Sequence, residues 1–216
     1  MTDKPRSDRT RVRREPQRGH YDRATLDAIL DAGLVAHVGF AGKDGHPYVL
    51  PMLYARDGDR LLIHGSSASR LLTTLAEGID VCVTVTLIDG MVVARSAFNS
   101  SLNYRSVMAL GRARAVEEPT AKWEALRQLT EFFIPGRWDD CRQPTDAELK
   151  ATLILEMPID EASAKIRTGP PGDDEADYGL DYWAGVIPFV KVTLTPVPDP
   201  RLRPGILLPD YLKQSR

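Results

Sequence analysis

The chain has 216 residues, 43% hydrophobic and 27% charged, enough for one domain that takes roughly 70% of its unfolded surface out of water. A formal net charge of −2 and a pI of about 6.1 provide no global positive field for nucleic acid or an anionic membrane. No apolar run approaches the ~18 residues of a membrane-crossing helix, and Cys82 and Cys141 lack any C-x-x-C spacing, so neither a zinc site nor a redox pair is signalled and a reducing, cytoplasmic setting is expected.

The first twenty residues carry seven Lys or Arg against three acids and no hydrophobic periodicity. They read as a basic, mobile arm (1–20), and with no apolar stretch after the charges a secretory signal is excluded. One domain at 21–195 and a tail at 196–216 follow. Asp22 can cap a helix whose apolar face is Leu26, Ile29 and Leu30 and which stops at Gly33. Three strands come next, "LVAHVGFA" (34–41), "HPYVLPMLYA" (46–55) and "LLIHG" (61–65), joined by the turns "GKDG" and "DGDR". Pro51 marks the second as an edge or a bulge.

After a serine cluster, Leu71, Leu72 and Leu75 form a helical stripe ending at Gly78. "VCVTVTLI" (81–88) alternates strictly, with Val81, Val83, Val85 and Leu87 on one face. Further strands are expected at 91–98 and 103–116. Pro119 opens a helix with Trp123, Leu126, Thr130 and Phe133 on one side. A short helix at 145–151 leads into the strand "TLILEMPI", and the remainder reads as long loops with at most one more strand. Six or seven strands joined by hairpin-length turns make a mainly β protein, an antiparallel barrel with peripheral helices. The strand–helix alternation of a doubly wound sheet is missing.

The familiar catalytic motifs do not fit. Gly39, Gly42 and Gly45 lie in a hairpin and match neither the dinucleotide fingerprint nor the phosphate loop. "GSSAS" approaches a nucleophile elbow, but Ser69 stands where glycine is needed and the chain order is not α/β. The four histidines, His20, His37, His46 and His64, show no paired spacing, so no metal site is assigned.

"LLIHGSSASRLL" (61–72) carries more chemistry. A helix that starts after a strand points free N–H groups and a positive dipole end at whatever lies before it. Ser66, Ser67 and Ser69 add hydroxyls, and Arg70 adds a fork suited to phosphate. The alternative is structural: Ser66 or Ser67 is an N-cap and Arg70 lies on the surface. A cation at a helix start is unfavourable by roughly 0.3–1 kcal/mol unless an anion is present. His64 closes the strand beside this corner.

In order, "HPYVLPMLYA", "RLLIHGSSASRLLTTL", "VCVTVTLI", "NYRSVMALGRARAV" and "WAGVIP" resemble the FMN-binding split-barrel proteins related to pyridoxamine 5′-phosphate oxidase, nearest their Nim-type 5-nitroimidazole-resistance branch. The resemblance spans about residues 20–190. It implies a homodimer with FMN in the groove between subunits, phosphate at His64, Gly65, Ser66, Ser69 and Arg70, and the second strand, Val49, Leu50 and Pro51, against the ring. Arg105 and Ser106, from the other subunit, would reach the ring edge, where the oxidases carry glutamine in place of Ser106. Trp183 either closes the pocket or is a core tryptophan of a last strand. His64 matches the histidine of the Nim strand motif and is the catalytic candidate. The biosynthetic oxidase itself is disfavoured, because its C-terminal signature needs a histidine and none follows His64. The resemblance thus implies an FMN-dependent oxidoreductase acting on a small electrophile such as a nitroaromatic. A flavin- or haem-binding carrier or sensor without turnover is the alternative.

Overall fold

The computed structural model describes residues 4–214. Asp22 accepts from the Thr25 amide at 2.8 Å and caps α1, Arg23–Ala32, whose Leu26, Ile29 and Leu30 are all buried. The meander follows as β2 Val35–Ala41, β3 Pro47–Asp57 and β4 Arg60–Ser66. Two pairings divide β3: its residues 47–53 lie against β2, and 54–57 against β4. Pro51, opposite His37, therefore sits on the part of β3 flanked by one strand, where its missing N–H breaks no ladder.

Helix α2, Arg70–Ala76, leads to β5, Asp80–Val93, which runs through the expected break: 81–88 and the start of 91–98 are one strand with a bulge between Ile88 and Gly90. Then come β6 Ser101–Arg112, β7 Arg114–Ala115, α3 Pro119–Phe133, α4 Asp146–Ala151 and β8 Thr152–Pro158. Two further strands, not one, lie in the stretch read as loops: β9 Glu161–Arg167 and β10 Gly185–Pro188. β9 escapes notice because its inward residues include Ala162 and Ala164, small and poor in strand preference.

With β1, Gly19–His20, the ten strands form an antiparallel sheet in the order β1-β9-β6-β5-β2-β3-β4-β8-β7, with β10 on β5. Arg112 ends β6 on one side of this path and Arg114 begins β7 at the other end, so the chain at Ala113 curls the sheet into a split barrel. The interior is filled by Tyr54, Leu61, Ile63, Val81, Val83, Val85, Leu155 and Met157, plugged by Leu26 and Leu30 of α1 and Leu72 and Leu75 of α2. Leu62 and Ile154, on the opposite face, pack with Ala125 and Leu129 of α3. Ala125 and Leu129 centre the buried stripe of α3, with Leu126 and Phe133 of the expected face packed beside them; Trp123 packs edge-on against Trp138 instead.

The N-terminal stretch is not a free arm. Residues 8–10 and 16–18 form 3-10 turns, and Gly19 and His20 pair with Lys165 and Ala164 of β9. Arg6 bonds Asp160, Ser7 and Arg9 bond Glu161, the Val12 amide donates to the Tyr21 hydroxyl, and Thr10 is buried. Arg6 and Arg9 are thus paired with Asp160 and Glu161, which sequence spacing gives no means to foresee, while Arg11, Arg13 and Arg18 pair with Asp8 and Glu15 within the stretch. No helix among the described residues is long and apolar enough to cross a membrane.

Candidate functional site

The corner after β4 is open to solvent, with Ser66, Ser67, Ala68 and Arg70 exposed. Its serines serve the turn itself. The Ala68 amide donates to Ser66 Oγ at 3.2 Å, the Ser67 amide to the Ala151 carbonyl at 2.8 Å, and the Ser69 amide to the Ser66 carbonyl at 2.9 Å. Ser69, rather than Ser66 or Ser67, is the N-cap, its Oγ accepting from the Leu72 amide. Gly65 is glycine for packing: a Cβ there would lie 2.8 Å from Leu72 Cδ1. The turn and the cap therefore engage the hydroxyls of Ser66 and Ser69 and leave Arg70 as the outward-facing cation.

Arg70 lines a cleft of about 610 Å³ between α2 and the β2–β3 hairpin, with Thr73, Thr74, Phe40, Lys43, Tyr48 and Leu50. Phe40 and Tyr48 stack with centroids 5.5 Å apart, giving the cleft an aromatic wall. The Tyr48 hydroxyl donates to Asp44 at 2.7 Å. That bond, then the His46 amide and to a lesser degree the charge of Arg70, hold the Asp44 carboxyl below its ordinary range. Lys43 is paired with Glu77.

Alternation along β3 separates the expected ring-contacting residues. Leu50 faces this cleft; Val49 and Pro51 point to the other side of the sheet. There Val49 shares a groove with Gly39, Cys82 and Leu110. Val49 is 66% exposed, and Val35 and Leu53 of the same face are also exposed, with His37 between them opposite Pro51. Two strands further across, Ser106 lies opposite Thr86, in a groove roofed by residues 10–14 and carrying Arg11, Arg13, Arg14 and Lys165. Burial pushes the Cys82 thiol up, so it stays protonated there.

Arg105 does not join Ser106. Its guanidinium grips Asp89 with bonds of 2.9 and 2.7 Å across the β5 bulge, and this pairing raises its pKa further. Trp183 is not a core residue: it is largely exposed, with its ring over Gly185, where a Cβ would lie 3.0 Å away. His64 is half buried on β4 opposite Ile154, away from the residues that line the Arg70 cleft. Its Nδ1 is enclosed without a hydrogen-bond partner, and burial lowers the pKa of the ring, favouring neutral imidazole.

One chain thus brings Leu50 and Arg70 into one cleft and places Val49, Pro51 and Ser106 on one outer sheet face, with Arg105 and Trp183 elsewhere. Sequence reasoning passed over His37, whose exposure follows from period two along β2, and the docked arginines at 11, 13 and 14. The cleft pairs a fixed cation with an aromatic wall, the hydroxyls of Thr73 and Thr74 being turned to carbonyls of their own helix, and the outer face exposes apolar area around an imidazole. Both fit a planar, phosphate-bearing cofactor better than a polymer.

The fold defines a protein of the antiparallel split-barrel class. The sequence matches the pyridoxamine 5′-phosphate oxidase family over residues 22–166, and the chain belongs to that family. The flavocytochrome Anf3 of Azotobacter vinelandii is 47% identical, covering 97% of both chains with a TM-score of 0.92. A FAD- and haem-binding protein of Mycobacterium smegmatis is 40% identical over 91% of this chain and 96% of its own, with a TM-score of 0.87. A 5-nitroimidazole resistance protein of Bacteroides thetaiotaomicron shares the fold at 22% identity, covering 68% of this chain and 86% of its own, with a TM-score of 0.58. No curated protein matches the sequence.

Proposed function

We propose that this protein is a flavin- and haem-binding redox protein, with FAD rather than FMN as its flavin. The observation that carries the reading is the likeness at 47% identity, over nearly the whole chain, to a protein described as a flavocytochrome. It extends well past the 22–166 shared with the family at large and includes the docked N-terminal stretch. The relative described as binding both FAD and haem supports the same choice. Reduction of a nitroaromatic rested on the Nim-type resemblance, and at 22% identity that neighbour supports the fold alone.

In this reading Arg70 holds flavin phosphate at the mouth of the cleft, and Leu50 with the Phe40–Tyr48 wall excludes water from one side. His37 is the haem ligand: its imidazole is exposed on the outer face, bordered by the exposed apolar residues Val35 and Leu53, and opposite Pro51. A bound flavin accepts electron pairs and releases them singly, which suits transfer through a one-electron haem. Lys165 lines the groove at the edge of that face and would offer its ammonium to an anionic group there. Two copies related by a two-fold axis would bring the face that carries Ser106 on one to the flavin of the other, while Arg105 stays paired with Asp89.

The test is the absorption spectrum of the purified protein, followed by chromatography of what is released on denaturation. Flavin bands together with a haem Soret band, and FAD in the extract, are expected. A colourless protein from riboflavin- and haem-replete cells, or FMN alone, refutes the reading. His37→Ala should remove the Soret band and spare the flavin bands.

A further inference from the structure

After β10 the chain leaves the barrel. The Phe189 amide still donates to the Asp89 carbonyl at 3.0 Å. Residues 189–209 then carry neither helix nor strand. The chain returns at Tyr211, whose hydroxyl donates to Asp140 at 2.7 Å and accepts from Arg137, with its ring over Gly136. The segment is therefore a strap fixed to its own subunit at both ends.

Its composition is wrong for a solvated loop. Phe189, Val190, Val192, Leu194, Val197, Leu202, Ile206, Leu207 and Leu208 are all between 41% and 90% exposed. Val190, Val192 and Leu194 alternate with Lys191, Thr193 and Thr195, the pattern of an extended segment with one apolar face. Prolines at 196, 198, 200, 204 and 209 keep it extended. Monomeric proteins rarely expose contiguous apolar patches beyond a few hundred Å², whereas nine such side chains together expose area on the order of the ~800 Å² per partner of a standard interface.

The same chain carries a second unpartnered apolar surface, the β2–β3 face with Val35, Val49 and Leu53. A strap and a receiving face on one chain are self-complementary. A two-fold pair covers both straps and both faces and leaves no open end for further growth. Twenty-one extended residues can span up to ~70 Å, ample to reach a neighbour and come back.

We propose that residues 189–209 form a strap that grips a second copy of this chain by lying on its β2–β3 face. The proposal rests on the two-copy arrangement of the proposed function but not on either cofactor. Since that face carries His37 and Pro51, each strap walls a site that its own subunit does not use.

The experiment places a photo-crosslinking amino acid at position 197 of the full-length protein. Mass in solution is measured in parallel by light scattering. Expected are a particle of twice the chain mass, and on illumination a covalent dimer whose adduct maps to residues 35–53. Val190→Asp/Val192→Asp/Leu194→Asp should raise the dimer dissociation constant at least a hundredfold. These side chains contribute nothing to the core, so far-ultraviolet dichroism and the melting temperature of the barrel should be kept. A monomeric parent protein overturns the strap and the two-copy arrangement together. A dimer whose adduct is intrachain, or lies elsewhere on the partner, overturns the strap alone. A colourless dimer with the expected adduct overturns only the cofactor reading.

Discussion

The enclosed nitrogen of His64 gives a prediction with a definite sign. Nδ1 is shut away from solvent without a hydrogen-bond partner, on a strand whose neighbours Leu62 and Ile154 are fully buried. Leaving a buried polar group unsatisfied costs about 1–3 kcal/mol. Part of the ring reaches solvent, which places His64 at the lower end. His64→Leu should therefore stabilise the flavin-free protein by about 1 kcal/mol, a melting rise of roughly 2–4 °C for a chain of this size. Acid behaviour supplies a second readout. Burial holds the folded pKa below 6.5, so the unfolded chain takes up the proton first. Stability is complete above pH 6.5 and falls on acidification below it, by at most about 1.4 kcal/mol per pH unit, until the folded pKa is passed. Urea titrations of both proteins from pH 8 to pH 5 measure this directly, and the leucine variant should lack that part of the slope. A variant that melts lower than the parent, with the acid slope intact, would mean that the nitrogen is satisfied and the reasoning wrong.

Arg70→Ala should weaken flavin binding about 10- to 100-fold, the loss of one charge-assisted contact, while the melting temperature stays within a degree or two; fluorescence titration with FAD checks it. Gly65→Ala forces a methyl to within 2.8 Å of Leu72 and should cost about 1–3 kcal/mol in chemical denaturation. Leu129→Ala empties the centre of the α3 layer, where Leu129 packs with Ala125, Leu62 and Ile154, and should cost about 2–5 kcal/mol by the same assay.

The barrel was legible because its strands alternate and its turns carry Gly and Asp where sharp reversal demands them. Leu61 and Ile63 inside the barrel and Leu62 outside it read as a plain apolar run, and only the presence of α3 tells why both faces are buried. β9 was lost because alanines fill its inner face, and the continuity of β5 because "DG" in a long strand looks like a turn and is a bulge. The anion corner was legible as composition, but its serines proved to close their own helix start, which depends on hydrogen bonds that spacing alone cannot allot. Leu50 and Arg70 line one cleft. Val49 and Pro51 could not meet Arg70 within one chain, since adjacent strand residues face opposite ways. The basic arm was misread because its acidic partners, Asp160 and Glu161, lie some 150 residues away.

That last pairing also fixes an order of events. Gly19 and His20 join β9, so this segment must wait until the chain has been made as far as residue 165 before it finds its seat. During synthesis its arginines stay in solution, while the meander can form at once from neighbouring sequence. A chain that terminates early would keep this basic stretch loose and open to trypsin-like cleavage. Protection of the arginines before Gly19 from such cleavage would thus report a finished barrel.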